Sequence, residues 1–167
     1  MTSSTPRVAP STLASSRLIG IGALDVVQSP AMLRSVLGSC VGVAIFDPTA
    51  QIAGLSHSIL PTGDEVGAEP AKFADQAVDN LLARMLAAGA KKSRLVAKLL
   101  GCATMFGKQD SASLGDRNAE AARARLSRHG VPIIAESLGG TKGRKVLVDA
   151  AAATVHVEII GESATVI

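Results

Sequence analysis

Two apolar runs joined by one short turn constrain this chain more than anything else in it. Residues 36–46 (VLGSCVGVAIF) carry no charge and stop at Asp47-Pro48. Residues 51–60 (QIAGLSHSIL) follow at once and stop at Pro61. Continuous apolar runs of this length, without alternation, read as strands covered on both faces. Asp47-Pro48-Thr49-Ala50 has good turn chemistry, so a β-hairpin is the simplest arrangement. A four-residue loop over 47–50 pairs Phe46 with Gln51 and sets Cys40 directly opposite His57.

The rest of the chain supplies the layers that cover such strands. Residues 17–27 (RLIGIGALDVV) read as a first strand broken by Gly20 and Gly22. A helix follows Pro70, which suits a first helical turn. Phe73, Ala77, Leu81 and Met85 give it an apolar stripe, and Gly89 ends it. Residues 95–100 form a strand. Asp116 caps a second helix with Ala119, Ala122 and Leu126 inward, and Gly130 ends it. Strands follow at 131–135, 145–148 and 154–160, with a glycine-rich hairpin turn over 138–143. Arg144 and Lys145 then sit at a sheet end as a docking surface. The expected fold is α/β: a layered sandwich of mixed, largely antiparallel β-sheets flanked by two main α-helices. Residues 1–16, rich in Ser, Thr and Pro, read as a flexible tail, leaving one domain over 17–167.

Composition removes several function classes. Lys and Arg number 17 against 14 Asp and Glu, and the chain has three Phe, no Trp and no Tyr. That balance is too mild for a nucleic-acid footprint, and stacking platforms are missing. The longest uncharged apolar stretch is far short of the ~20 residues a membrane span needs. No leader pattern opens the chain, so a cytoplasmic location is expected. Two cysteines are too few for a disulfide scaffold. No CxxC or HxxxH spacing suggests a metal, and no cofactor motif is present. The segment 138–145 does not match a phosphate-binding loop.

The histidines sort by local pattern. His129 is a cation in a helix's last turn. His156 lies on the polar face of its strand. His57 shares a face with Leu55 and Ile59, where an apolar side chain is the ordinary choice. The bland reading is a satisfied core histidine. The sharper one is a general base for Cys40, with Gly38 and Ser39 supplying backbone N–H groups for an oxyanion. Cys102 reads as a packing thiol.

These residues, in this order, resemble the CheD family of chemoreceptor glutamine deamidases. The resemblance runs over Leu37-Gly38-Ser39-Cys40-Val41, Phe46-Asp47-Pro48 and His57-Ser58-Ile59-Leu60-Pro61. It continues through Lys72-Phe73, Ala97-Lys98-Leu99-Leu100-Gly101, Met105-Phe106, Gly115-Asp116-Arg117-Asn118, Leu138-Gly139-Gly140 and Gly143-Arg144-Lys145. It implies Cys40 as nucleophile and His57 as its base. It implies hydrolysis of glutamine amides to glutamate on methyl-accepting chemotaxis receptors, with a CheC-type CheY-phosphate phosphatase as partner. The family's third member, a threonine shortly before the cysteine, falls near Arg34-Ser35, where Ser35 offers a hydroxyl to orient His57. The rival readings are a non-catalytic adaptor of the same fold and a thiol hydrolase acting on another amide or ester.

Overall fold

The computed structural model describes residues 8–67, 69–107 and 112–167. A short helix α1 (Pro10–Ser15) precedes β1 (Arg17–Leu18), β2 (Leu24–Gln28), β3 (Met32–Leu37), β4 (Val41–Asp47) and β5 (Ile52–Ser58). Then come α2 (Ala74–Ala87), β6 (Val96–Gly101), α3 (Leu114–Arg128), β7 (Ile133–Leu138), β8 (Arg144–Asp149), β9 (Thr154–Ile159) and β10 (Thr165–Val166). The first sheet has strand order β1-β3-β8-β9-β10 and the second β2-β5-β4-β6-β7. Among the described strands, only β1–β3 and β6–β7 pair in parallel. Both main helices pack on the second sheet, so the layers run sheet, sheet, helices. This is the mixed, largely antiparallel α/β sandwich expected. No described helix is long and apolar enough to cross a membrane.

The middle layer explains the two apolar runs. Every residue of β4 and β5 is buried. Val41, Val43 and Ile45 face the helices with Leu81, Met85, Leu99 and Leu126. Ala44, Phe46, Ala53 and Leu55 face the first sheet with Leu33, Leu37, Val146, Val148 and Val155. A strand sandwiched on both faces loses no apolar position to water, so alternation disappears. The outer sheet alternates instead. Leu33, Ser35 and Leu37 point inward, while Val36 is exposed.

Several boundaries depart from expectation. Residues 36–46 are not one strand. The chain leaves the first sheet after Leu37, turns through Gly38-Ser39-Cys40, and enters the second sheet at Val41. Apolar residues on both sides of the turn conceal this crossing from a pattern reading. Residues 17–27 likewise supply β1 to one sheet and β2 to the other. The glycine-rich segment after β7 is also a crossing between sheets and not a hairpin turn. Arg144 is buried there. It donates to Ser137 O at 2.7 Å, to Ser137 Oγ at 2.9 Å and to Gly139 O, so it bolts the crossing and is no docking surface.

The helix starts also shift. α2 begins at Ala74, because residues 70–72 first turn and bend, and Phe73 then bridges Leu60 just past β5, where Lys72 O accepts from Ile59 and Leu60 N–H. Pro70 therefore lies before the helix. Ser113, not Asp116, caps α3. Ser113 Oγ accepts from Asp116 N–H and the Asp116 carboxylate accepts from Ser113 N–H, a reciprocal capping box. Of the segment read as a tail, residues 1–7 lie outside the described residues and residues 10–15 form α1.

Candidate active site

The hairpin register differs from the expected one. Gly42 faces His57, and Asp47 faces Ile52. Asp47 stays in the strand because its carboxylate accepts from Ala50 N–H at 3.1 Å and closes the turn beyond it. Gln51 joins the turn with φ 53°. The turn has slid by one residue, so the residue opposite His57 moves by two. An even step preserves the face. Cys40 lies two residues before Gly42, in the turn just outside the ladder, and not directly across from His57.

His57 points between the two sheets, and Ser35 meets it from the opposite sheet. Ser35 Oγ lies 3.0 Å from His57 Nδ1 and donates to Ile19 O at 2.7 Å. His57 Nδ1 is also 3.3 Å from Ile19 O. A carbonyl only accepts, and the single hydroxyl proton is already committed to it. The network is satisfied only with the proton on Nδ1, donated to Ser35 Oγ and Ile19 O. Nε2 is then a bare lone pair, with no partner among the described residues. That is the tautomer a general base needs.

Cys40 sits in the turn where the chain changes sheets. Cys102 N–H donates to Cys40 O at 2.9 Å, and Ala103 N–H donates to Gly38 O at 2.9 Å. Asn118 Nδ2 donates to Ser39 O at 3.3 Å. Three consecutive carbonyls are thus drawn to one side. In a trans peptide the N–H points opposite to its own C=O. The N–H groups of Ser39 and Cys40 therefore point away from the carbonyls of Gly38 and Ser39, and neither donates to another residue among the described residues, the Cys40 N–H lying against its own sulfur. Gly101 makes the close pairing feasible: it takes φ 95°, and a Cβ there would stand 2.4 Å from Cys40 O. Gly38 is not needed for clearance, since its added Cβ would touch only the Met105 side chain at 3.8 Å.

Burial sets the resting charges. Cys40 and His57 are 6% and 4% exposed. Desolvation raises the Cys40 thiol above its ordinary value, partly offset by its own backbone N–H. Desolvation also lowers His57, against the raising effect of Ile19 O. Both shifts favour an uncharged thiol and imidazole. No hydrogen bond joins the two in this structure.

Other candidates are placed as follows. Both cysteines are free, and burial pushes Cys102 up to about 12, which suits a packing thiol. His129 caps the end of α3 and bonds Asp79 at 2.7 Å. His156 is half-buried on the outer face of the first sheet. Among the described residues no three His, Cys, Asp or Glu side chains gather as a metal site. Sequence reading missed the Ile19 carbonyl and the Asn118 amide. A main-chain acceptor leaves no sequence signal. Asn118 had one: an amide on the apolar stripe of a helix.

A family profile described as CheD chemotactic sensory transduction matches residues 59–159. The chain belongs to the CheD family. Its CheD relatives include proteins named "Probable chemoreceptor glutamine deamidase CheD" from two bacteria. That of Clostridium botulinum (strain Eklund 17B / Type B) is 40% identical over 149 residues, covering 86% of this chain and 92% of its own. That of Desulfitobacterium hafniense (strain DSM 10664 / DCB-2) is 39% identical over 154 residues, covering 89% and 96%. The profile begins just past His57. The first CheD alignment leaves only 14% of this chain, about 23 residues, outside it, so its span includes positions 40 and 57. Among solved structures, the Bacillus licheniformis hypothetical protein YfiH superposes with TM-score 0.44 at 17% identity, over 70% of this chain and 51% of that one.

Proposed function

We propose that this chain hydrolyses glutamine side-chain amides of methyl-accepting chemotaxis receptors to glutamate, with Cys40 as nucleophile. The observation that carries the reading is the hydrogen-bonded Ser35–His57–Ile19 set. It leaves Nε2 bare on the face shared with a thiol two residues before Gly42, in a turn whose Ser39 and Cys40 N–H groups donate to no other residue among the described residues. The names of the CheD relatives supply the substrate class.

Substrate binding brings the thiol and Nε2 together, as apo contacts at such sites tighten in the complex. His57 Nε2 takes the thiol proton while sulfur bonds to the amide carbon. The oxyanion forms against the N–H groups of Ser39 and Cys40. The imidazolium returns its proton to nitrogen, the C–N bond breaks, and ammonia leaves a thioester. Water then gives a proton to Nε2 and attacks. The C–S bond breaks, glutamate forms and the thiol is restored. Ser35 Oγ and Ile19 O hold the ring throughout and accept from Nδ1–H.

A receptor substrate on cytoplasmic helices makes the enzyme cytoplasmic, and a CheC-type phosphatase competes for it. A non-catalytic adaptor draws support from the absence of the family's threonine near Arg34-Ser35. Ser35 Oγ stands in bonding distance of the ring, which supports the catalytic reading over it. The test is the intact mass of a cytoplasmic chemoreceptor fragment after incubation. Wild type adds about 1 Da per glutamine converted, and Cys40→Ala adds nothing, since the nucleophile is indispensable. Equal conversion by Cys40→Ala refutes the assignment. Tight receptor binding without any mass gain favours the adaptor.

A further inference from the structure

The buried face of α3 is built from Gly115, Asn118, Ala119, Ala122 and Leu126. Asn118 is the polar exception and is fully buried. Its Nδ2 donates to Ser39 O at 3.3 Å and to Ile59 O at 3.1 Å. Two carbonyl acceptors fix which end of the amide is nitrogen. Its Oδ1 has no partner among the described residues. Leaving a buried oxygen unpaired is costly, so the amide is held for what its nitrogen does.

The two acceptors lie on either side of the chemistry. Ser39 O belongs to the peptide that carries the Cys40 N–H. Ile59 O lies two residues after His57. The neighbouring carbonyls, Gly38 O and Cys40 O, are held by main-chain N–H groups that almost any sequence supplies. Only the middle carbonyl depends on a side chain. Turning that carbonyl turns the Cys40 N–H with it. The seat of α3 is fixed too: a Cβ on Gly115 would fall 2.6 Å from Cys102 O, so the first helical turn rests directly on the segment that backs the nucleophile.

We infer that Asn118 is a positioning residue, which aims the Cys40 N–H at the developing oxyanion and ties the nucleophile's turn to the strand that carries His57. The inference rests on the deamidase reading above. It concerns the oxyanion and not the thiol's ionisation, and that difference can be measured. Iodoacetamide alkylates sulfur at a tetrahedral carbon and creates no oxyanion.

The experiment compares the full chain with Asn118→Leu in two assays: deamidation of a cytoplasmic chemoreceptor fragment, and iodoacetamide alkylation of Cys40 across pH. The expected result is a kcat lowered roughly 10- to 100-fold with KM changed less than about threefold. The rate and pH profile of Cys40 alkylation stay within about twofold, since thiolate character governs them. Should Asn118→Leu not fold, Asn118→Ser removes the amide without adding bulk and carries the same comparison. A kcat within about threefold of wild type overturns the assignment. So does alkylation that falls in parallel with kcat. Inactive wild type overturns the deamidase reading and this assignment with it, whereas active wild type with an unaffected variant overturns this assignment alone.

Discussion

Ser35→Ala tests the division of labour around His57 most directly. The hydroxyl accepts from Nδ1–H at 3.0 Å and donates to Ile19 O at 2.7 Å. Removing it does not free the ring, because Ile19 O stands 3.3 Å from the same nitrogen. That carbonyl can accept only from Nδ1–H, so the base-competent tautomer survives. A protease-type triad that loses its orienting acid falls about 10⁴-fold in kcat because the tautomer becomes wrong. That penalty does not apply here. What is lost is one buried neutral hydrogen bond, worth about 1–1.5 kcal/mol, with a little more as the ring becomes charged. At about 1.4 kcal/mol per tenfold, kcat should fall roughly 5- to 20-fold.

Ser35→Thr keeps the hydroxyl and should stay within about threefold of wild type. The assay is initial-rate ammonia release from a receptor fragment, with far-ultraviolet dichroism to check folding. A loss beyond about 10³-fold refutes the reasoning, because the Ile19 carbonyl would then not be orienting the ring. A loss under about twofold refutes it from the other side, because the hydroxyl would then do nothing.

Three further outcomes follow from the same geometry. Iodoacetamide should modify Cys40 at least about tenfold faster than Cys102, whose thiol burial holds up at about 12, and His57→Ala should slow only Cys40, as peptide mass mapping will read. Burial lowers His57 and raises Cys40, so the reactive uncharged pair spans neutral pH. The kcat/KM profile should be flat from about pH 6.5 to 8.5, and an acid limb above pH 7 contradicts it. Asp47→Asn should cost about 2–3 kcal/mol in urea titration at pH 7, since the buried carboxylate meets Arg94 at 2.7 Å and Lys91 N–H at 2.9 Å. Arg94 holds Asp47 well below the usual carboxylate range, so its contribution is full above about pH 4 and fades as pH falls. The wild-type advantage should therefore shrink in acid.

The parts of the site legible in sequence were those where residue type conflicts with position. A histidine between Leu55 and Ile59 conflicts with an apolar face, and that face does open on the thiol's turn. The expected pairing was off by two residues: sliding the loop centre by one gives His57 the partner Gly42 in place of Cys40, and an even step leaves those two residues on one face. What stayed hidden has one physical origin. Residues 36–46 are apolar throughout, and hydrophobicity cannot report that the chain changes sheets at Gly38–Cys40 when both sheets share one core. Main-chain groups are common to every residue, so the Ile19 carbonyl and the pinned carbonyls of Gly38, Ser39 and Cys40 leave no compositional trace. The change of sheet is also what creates the site. A nucleophile inside a regular strand would spend its N–H on a neighbouring strand. Leaving one sheet before joining the next gives Ser39 and Cys40 carbonyls that are satisfied from behind and amides that are free in front. The same crossing brings Ser35 of the first sheet against His57 of the second. A turn forced straight into either sheet would keep the thiol and the imidazole and lose the proposed oxyanion donors.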